Sequence, residues 1–122
     1  RSEAGLQEEE EKALTVGSIS IDRRTREVRV EGREVELTTT EFDLLRVLAE
    51  HPGWVYSREE LLESVWGYNY LGDSRLVDVH IANLRKKIGD DPADPQFVRT
   101  VRGVGYKLQS PGVDRPEGAM GP

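Results

Sequence analysis

Residues 74–88 constrain the fold more than any other segment, because their apolar and polar side chains separate at helical spacing. The apolar residues fall within about 60° of one another on a helical wheel. They are Val77, Ile81, Leu84 and Ile88. The opposite side holds Arg75, Val79, Ala82, Asn83 and Lys86, with His80 and Lys87 along one edge and Asp78 and Arg85 along the other. The segment therefore predicts a helix with one buried stripe and an outer face of small residues ringed by cations.

Positive charge is concentrated in the same part of the chain. The 122-residue sequence has a formal net charge of −6, yet residues 74–108 hold seven basic and four acidic residues. Screening limits distant charges to a reach of about 8 Å, so a local basic surface can bind a polyanion. The helix fits a DNA major groove, which is about 12 Å wide. There Asn83 can pair with adenine, Val79 can contact a thymine methyl, and cations can contact phosphates or guanine.

The segment before the helices predicts strands. Residues 14–37 alternate apolar and charged positions, which is typical of half-buried strands. Three short antiparallel strands are expected at about 14–21, 28–30 and 35–37. The first of them is interrupted near Gly17, and a turn at Gly32 separates the other two.

Three helices and a hairpin follow. Thr38 and Ser57 each begin a capping box, in which a hydroxyl and a Glu three residues later bond each other's backbone N–H groups. Ser74 is expected to cap the third helix. Residues 97–108 predict a hairpin with Arg102 at its tip. A helix-turn-helix with a basic hairpin offers one element for each groove, and arginine suits the narrow minor groove.

The two ends of the chain differ from the segment between them. Residues 1–12 hold five acidic and two basic residues, which is typical of a solvated linker. Residues 109–122 hold three Pro and three Gly, which predicts a disordered tail. The folded domain is expected at 13–108. The absence of Cys excludes disulfides and is consistent with a reducing, cytoplasmic compartment, and no apolar run approaches the ~18 residues of a membrane span.

Two other function classes stay open on the residues alone. A helix-turn-helix can be a protein-interaction module without DNA binding, because fold does not fix function. Partner binding would then depend on Tyr68 or Tyr70 in the loop 67–73 and would survive charge reversal at Lys86 and Lys87. An enzyme is disfavoured, because no nucleophile–base pair, metal-ligand cluster or phosphate loop is visible. We therefore predict neither a cofactor nor a metal.

Three aromatic side chains outside these motifs have simple structural interpretations. His51 stands before Pro52 at a helix end and is expected to cap the helix or lie at the surface, because a metal site needs several convergent ligands. Trp54 and Trp66 are expected in the core, because aromatic side chains supply large buried area.

Several motifs, in one order, resemble those of the C-terminal effector domains of OmpR/PhoB-type two-component response regulators. They lie at 37–45, at 55–58 with Leu61-Leu62 and Trp66-Gly67, at 77–81 with 84–88, and at 100–106, within a resembling region of about 14–108. The resemblance implies an α+β winged helix-turn-helix with a four-stranded N-terminal antiparallel sheet, three helices and a C-terminal β-hairpin wing. The fourth strand of that sheet would be Val55-Tyr56.

The same resemblance implies a sequence-specific DNA-binding transcription regulator. Such domains bind promoter DNA as head-to-tail pairs on direct-repeat half-sites, so we expect a monomer that dimerises on DNA. A separate receiver domain would be phosphorylated by a sensor histidine kinase, and residues 1–12 would be the interdomain linker. The loop residues Tyr68, Asn69 and Tyr70 either pack beneath the third helix or form a contact surface for RNA polymerase.

Individual DNA contacts also follow from the resemblance, with residues 74–88 in the major groove. Phosphate contacts would come from Arg75, His80 and Arg85, base contacts from Asn83 with Val79, a backbone contact from Thr100, and a minor-groove contact from Arg102. Lys86 and Lys87 complete the expected DNA-binding set. The chain departs from some relatives at Ala82-Asn83, where they carry Arg or Lys, and this leaves the operator sequence open.

Overall fold

The computed structural model describes residues 13–70, 72–91 and 93–110. Four antiparallel strands form a sheet in sequence order: β1 (Ala13–Val16), β2 (Ile19–Asp22), β3 (Glu27–Val30) and β4 (Arg33–Val35). The three helices are α1 (Thr39–Glu50), α2 (Arg58–Trp66) and α3 (Arg75–Ile88). A second sheet has the order β5-β7-β6 and contains β5 (Tyr56–Ser57), β6 (Val98–Val101) and β7 (Gly105–Leu108). This is the expected α+β winged helix-turn-helix, and among the described residues no helix is long and apolar enough to cross a bilayer.

The N-terminal sheet has four strands, but the prediction of one interrupted strand at 14–21 was wrong. Gly17, with a φ of +59°, and Ser18 form a two-residue turn. The chain on either side of this turn folds back as a hairpin in which Val16 pairs with Ile19. The break in the alternating pattern was therefore a reversal of the chain. Leu37, expected in a strand, lies after the end of β4.

The assignment of Val55-Tyr56 to the N-terminal sheet was also wrong. Tyr56 and Ser57 form β5, and they pair with Tyr106 and Gly105 of β7. A β-carbon at Gly105 would overlap the carbonyl oxygen of Tyr56, so this close pairing requires glycine. The short strand thus connects the start of α2 to the wing.

Both predicted capping boxes are confirmed. The hydroxyl of Thr38 accepts from the N–H of Glu41 at 3.2 Å, and the Glu41 carboxylate accepts from the N–H of Thr38 at 3.0 Å. Ser57 and Glu60 make the same two bonds at 3.0 and 2.8 Å. These local bonds start α1 and α2 at the positions that the sequence predicted.

The core lies between the N-terminal sheet, the three helices and the paired strands of the wing. The predicted apolar stripe of α3 is buried, at 0–3% exposure, and consists of Val77, Ile81, Leu84 and Ile88. Its partners include Leu44, Leu45, Leu48 and Leu61 from the first two helices and Val98 and Leu108 from the wing. Burying this stripe fixes which side of α3 faces outward.

The expectation that Trp54 lies in the core was wrong. Its side chain is 59% exposed, and its ring stacks on that of His51 with centroids 4.0 Å apart. A tight turn holds it there, because the N–H of Trp54 bonds the carbonyl of His51 and the N–H of Gly53 bonds the carbonyl of Leu108. Trp66 is half-buried against the core, and His51 lies at the surface as expected.

The fold continues past the expected boundary at Leu108. Gln109 is buried, and its N–H donates to the carbonyl of Phe97 at 3.0 Å. The predicted linker at residues 1–12 and the remainder of the predicted tail, residues 111–122, lie outside the described residues.

Candidate nucleic-acid interface

The outer face of α3 is open to solvent along the side that the wheel predicted. Val79 is 56% exposed although it is apolar. Ala82 and Lys86 are exposed beside it, and Asn83 is half-buried. Within the described part of the chain, neither Asn83 nor Lys86 makes a side-chain hydrogen bond or ion pair. The face therefore has an uncovered apolar centre and polar groups whose bonding capacity is unused.

The N-terminus of α3 is capped by Asp73 and not by the expected Ser74. The backbone of Ser74 is already helical, and its side chain makes no cap hydrogen bond. The Asp73 carboxylate accepts from the N–H of Arg75 at 2.9 Å and from its guanidinium at 2.7 and 3.0 Å. The side-chain bonds from Arg75 lower the pKa of Asp73. Because both groups are exposed, the pair is weak.

His80 lies at the edge of this face and packs against α2. Its ring centroid is 5.4 Å from that of Trp66, at an angle of 57° between the planes. The ring is half-buried. This contact holds the imidazole against the end of α2.

Arg85 and Thr100 are brought together by the wing. Arg85 Nε and Nη2 donate to the carbonyl of Val98 at 3.0 and 2.8 Å, and Nη2 also donates to the hydroxyl of Thr100 at 2.8 Å. Thr100 is exposed. Two of the cation's three nitrogens are therefore used within the protein, while the Thr100 hydroxyl keeps its own proton for donation.

Lys87 has a partner on another helix. Its Nζ lies 2.8 Å from Glu41 Oε1, the carboxylate that also caps α1. The Glu41 side chain is 3% exposed and that of Lys87 is 38% exposed. Among the expected DNA-binding cations, Lys87 is thus engaged with a buried anion, whereas its neighbour Lys86 is free within the described chain.

Arg102 stands at the tip of the wing. It lies in the turn between β6 and β7, which a hydrogen bond from the N–H of Val104 to the carbonyl of Val101 closes at 2.9 Å. Gly103 takes a φ of +75° in this turn. Arg102 is exposed, and its guanidinium has no partner among the described residues.

Sequence reasoning missed a polar network between α2, α3 and the wing. Asp78 Oδ1 accepts from Arg58 Nε at 2.7 Å and from the Tyr106 hydroxyl at 2.6 Å. The guanidinium carbons of Arg58 and Arg85 lie 5.5 Å from the centre of the Tyr106 ring. Burial, then the hydrogen bond to Asp78 and its negative charge, raise the pKa of Tyr106, so its hydroxyl stays a donor. No local pattern marks partners that are 20 and 28 residues apart.

Sequence reasoning also missed the structural role of Asp90. Its carboxylate is buried and accepts from the backbone N–H groups of Gln96, Phe97 and Val98, at 2.7–3.2 Å. These bonds connect the end of α3 to the start of β6. An acidic residue directly after a helix-ending Gly89 is the only sequence signal for this role.

The loop between α2 and α3 projects aromatic side chains. Tyr68 is 83% exposed and Asn69 is exposed. Tyr70 is 40% exposed, and its ring lies over Gly72 and 6.2 Å from the ring of Trp66. Of the two tyrosines, Tyr70 thus has packing partners, whereas Tyr68 points to solvent.

A family model described as "Transcriptional regulatory protein, C terminal" matches residues 32–108. The chain is 47% identical over 105 residues to the DNA-binding response regulator MtrA of Mycolicibacterium smegmatis, a match that covers 86% of this chain and 46% of MtrA. The chain thus spans about half the length of the curated relatives that it matches.

Two solved structures show the same architecture. The DNA-binding domain of RstA from Klebsiella pneumoniae, solved in complex with the RstA box, is 41% identical, with a TM-score of 0.74 over 80% of this chain and 97% of that one. The response regulator DrrB of Thermotoga maritima, described as an OmpR/PhoB homolog, is 34% identical, with a TM-score of 0.75 over 90% of this chain and 50% of that one.

Proposed function

The chain belongs to the family of C-terminal domains of transcriptional regulatory proteins, of the OmpR/PhoB type, and on this premise we propose that it binds promoter DNA sequence-specifically. Helix α3 would enter the major groove while the wing places Arg102 in the adjacent minor groove. The observation that carries the proposal is the open outer face of α3, where exposed Val79 lies among unused polar groups. The RstA domain, a structural neighbour, was solved with its DNA box.

The surroundings of each side chain suggest its role. Asn83 and Val79 are centred on the face and would contact base edges. Arg75, at the start of the helix, and His80, at the edge of the face, would contact phosphates. Lys86, which has no ion pair within the described chain, would do the same.

The three remaining expected contacts have partners within the protein. Arg85 would reach a phosphate only through Nη1, because its other nitrogens bond Val98 and Thr100. Thr100 would donate its hydroxyl proton to the DNA backbone. Lys87 would contribute least, because it neutralises the buried Glu41.

The resemblance to response regulators, and relatives about twice as long as this chain, support a proposal for the whole protein. Residues 13–110 would be the effector domain and residues 1–12 a linker to a receiver domain that a sensor histidine kinase phosphorylates. Two domains would bind head to tail on direct repeats, and a single domain would be monomeric without DNA. The domain would have no catalytic role and would act in the cytoplasm, on promoter DNA.

A second proposed function concerns the loop 67–73. Among the large hydrophobic residues that the structure describes, Tyr68 has the highest exposed fraction. Exposed aromatic side chains are enriched at protein interfaces. We propose that Tyr68, Asn69 and Tyr70 contact RNA polymerase once the domain is on DNA. The alternative of a protein-interaction module without DNA binding would use the same loop, but it gives no role to the open face of α3.

The dependence of affinity on salt tests the DNA-binding function. With Arg75, Arg85, Lys86 and Arg102 near phosphates, log Kd plotted against log salt should have a slope of magnitude about 4 per protomer. Fluorescence anisotropy with a duplex enriched from a random pool measures it, and the enriched sequences report half-site orientation. Replacing exposed Arg33 of β4 by alanine should leave the slope unchanged. A flat dependence would contradict DNA binding, whereas inverted half-sites would contradict only the head-to-tail arrangement.

Base preference should depend on Asn83 and Arg102 in different ways. Asn83→Ala is expected to relax the preference at one base pair by about 1–3 kcal/mol. Arg102→Ala is expected to weaken binding mainly to sites with A·T pairs beside the core sequence. Lys86→Ala serves as the control, because losing a phosphate contact weakens binding to all sequences alike. Titration of singly substituted duplexes distinguishes these outcomes, and uniform weakening by Asn83→Ala would contradict base reading.

A further inference from the structure

Asp78 and Tyr106 join the helix that we propose reads the major groove to the hairpin that we propose enters the minor groove. Asp78 Oδ1 holds the Tyr106 hydroxyl at 2.6 Å and Arg58 Nε at 2.7 Å. Tyr106 lies in β7 directly opposite Thr100 of β6. The bond therefore attaches to the hairpin at Tyr106, level with Thr100 and four residues after Arg102 at its tip.

A second link reaches the other strand of the hairpin. Arg85 donates to the carbonyl of Val98 and the hydroxyl of Thr100, both in β6. Because Asp78 and Arg85 are seven residues apart on α3, they lie on the same side of the helix, two turns apart. One side of α3 is thus bonded to both strands of the wing.

Apolar packing holds the base of the hairpin and the ring of Tyr106 in β7. Val98 and Leu108, which pair with each other, are fully buried. Nearer the tip, Thr100 and Arg102 are exposed and Val104 is 49% exposed. The outer half of the hairpin is therefore held by the pairing of β7 with β5 and is connected to α3 by the polar links.

We propose that Asp78 is a positioning residue for DNA recognition, which holds the wing at the angle where Arg102 and Asn83 engage neighbouring grooves together. The inference rests on the proposed function. At about 3.3 Å per strand residue, Arg102 lies roughly 13 Å beyond the buried base of the hairpin. A swing of about 10° would move the tip by roughly 2 Å, which is a third of the minor-groove width of about 6 Å.

The sign of the change in DNA affinity distinguishes a positioning role of Asp78 from a direct electrostatic effect of its charge. Asp78 is an anion beside a surface proposed to bind a polyanion, so removing its charge alone should tighten binding. The positioning role predicts the opposite sign for Asp78→Ala, which is a loss of about tenfold, the scale of one hydrogen bond to a charged group. Glu63→Ala is the control for charge, because Glu63 is a helical carboxylate that is exposed and has no side-chain partner in the described chain. It should leave affinity unchanged or slightly higher.

Three variants of the whole chain test the proposal on a duplex enriched from a random pool. Tyr106→Phe removes only the hydroxyl and keeps the buried ring, and should also weaken binding about tenfold. Asp78→Asn keeps the Oδ1 acceptor and should retain part of the affinity. Adding Arg102→Ala to Tyr106→Phe should cause little further loss, because the arginine is already misplaced. Thermal unfolding confirms that each variant is folded.

Binding to duplexes with substituted base pairs gives a measurement that a change in protein stability would not alter. Beside the core site, an A·T pair is replaced by G·C, which adds an amino group to the minor groove, or by inosine·C, which lacks that group. The wild type should bind the inosine·C duplex more tightly than the G·C duplex, and Tyr106→Phe should bind both alike. The preference at the base pair that Asn83 contacts should persist in the variant. Specific wild-type binding with additive effects of Tyr106→Phe and Arg102→Ala would overturn the positioning role alone. Flat salt dependence of the wild type would overturn the proposed function together with this inference.

Discussion

Replacing Asp90 by alanine is expected to lower the free energy of unfolding by about 4 kcal/mol. The carboxylate accepts four N–H contacts from Gln96, Phe97 and Val98, and it is 5% exposed. Alanine would leave those donors without a partner, one of them buried at Val98 and the others partly buried, and each buried donor without a partner costs about 1–3 kcal/mol. Urea unfolding of wild type and variant at pH 7 measures the difference.

The position of Asp90, between the end of α3 and the start of β6, explains why its carboxylate has so large an effect on stability. Gly89 ends α3 with a φ of +83°, and the N–H of Asp90 returns to the carbonyl of Arg85 at 2.8 Å, as in a Schellman motif. The backbone of Asp90 thus closes the helix while its side chain starts β6. Losing the carboxylate separates the end of α3 from the hairpin, and we expect DNA binding to weaken with stability.

Two neighbouring changes serve as controls for the Asp90 prediction. Asp90→Asn keeps Oδ1 as the acceptor for Gln96 and Phe97 but loses Oδ2 as the acceptor for Val98, so it should cost about half as much as alanine. Asp91→Ala removes an exposed carboxylate whose one hydrogen-bond partner among the described residues is the N–H of Ala93, and should cost less than about 1 kcal/mol. An equal cost for Asp90→Ala and Asp91→Ala would contradict the role assigned to Asp90.

The parts of the fold that sequence predicted are those that local spacing determines. The buried stripe of α3 follows from a three- and four-residue repeat, and each capping box depends on two residues three apart. The wing follows from alternation around a glycine turn. The partner of β5 could not be predicted in this way, because Tyr56 and Tyr106 are fifty residues apart and two residues carry too little pattern to select a sheet.

The same limit applies to the candidate site. A helical wheel places Lys86 and Lys87 beside each other near one basic face, yet it cannot show that Glu41, 46 residues earlier, lies within 2.8 Å of Lys87. Nor can it show that Asp78, at the edge of the wheel, bonds Tyr106. Sequence thus predicted which face of α3 is outward, whereas tertiary contacts decide which of its cations remain free for DNA.

Substitutions at the two adjacent lysines should therefore have different effects, with Lys87 affecting folding stability and Lys86 affecting DNA binding. Lys87→Met is expected to lower the free energy of unfolding by about 2 kcal/mol, because the Glu41 carboxylate would stay buried without its cation. The figure lies below the usual cost of breaking a buried pair, since Lys87 is 38% exposed. Lys86→Met should change stability by less than about 0.5 kcal/mol, while reducing the magnitude of the salt slope by about 0.9.

The pH dependence of stability identifies the partner of Lys87. Burial acts to raise the pKa of Glu41, but the hydrogen bonds from Lys87 and Thr38, with the charge of Lys87, outweigh it and hold the pKa below its ordinary value of 4.5. A carboxyl with a lowered folded pKa stabilises the fold above its unfolded pKa, and that contribution is lost as pH falls through the folded pKa. The stability difference between wild type and Lys87→Met should hence be full near pH 7 and should shrink below about pH 4.5. Urea unfolding across this range should show no such change for Lys86→Met, and identical profiles for the two variants would mean that the ion pair with Glu41 does not stabilise the fold.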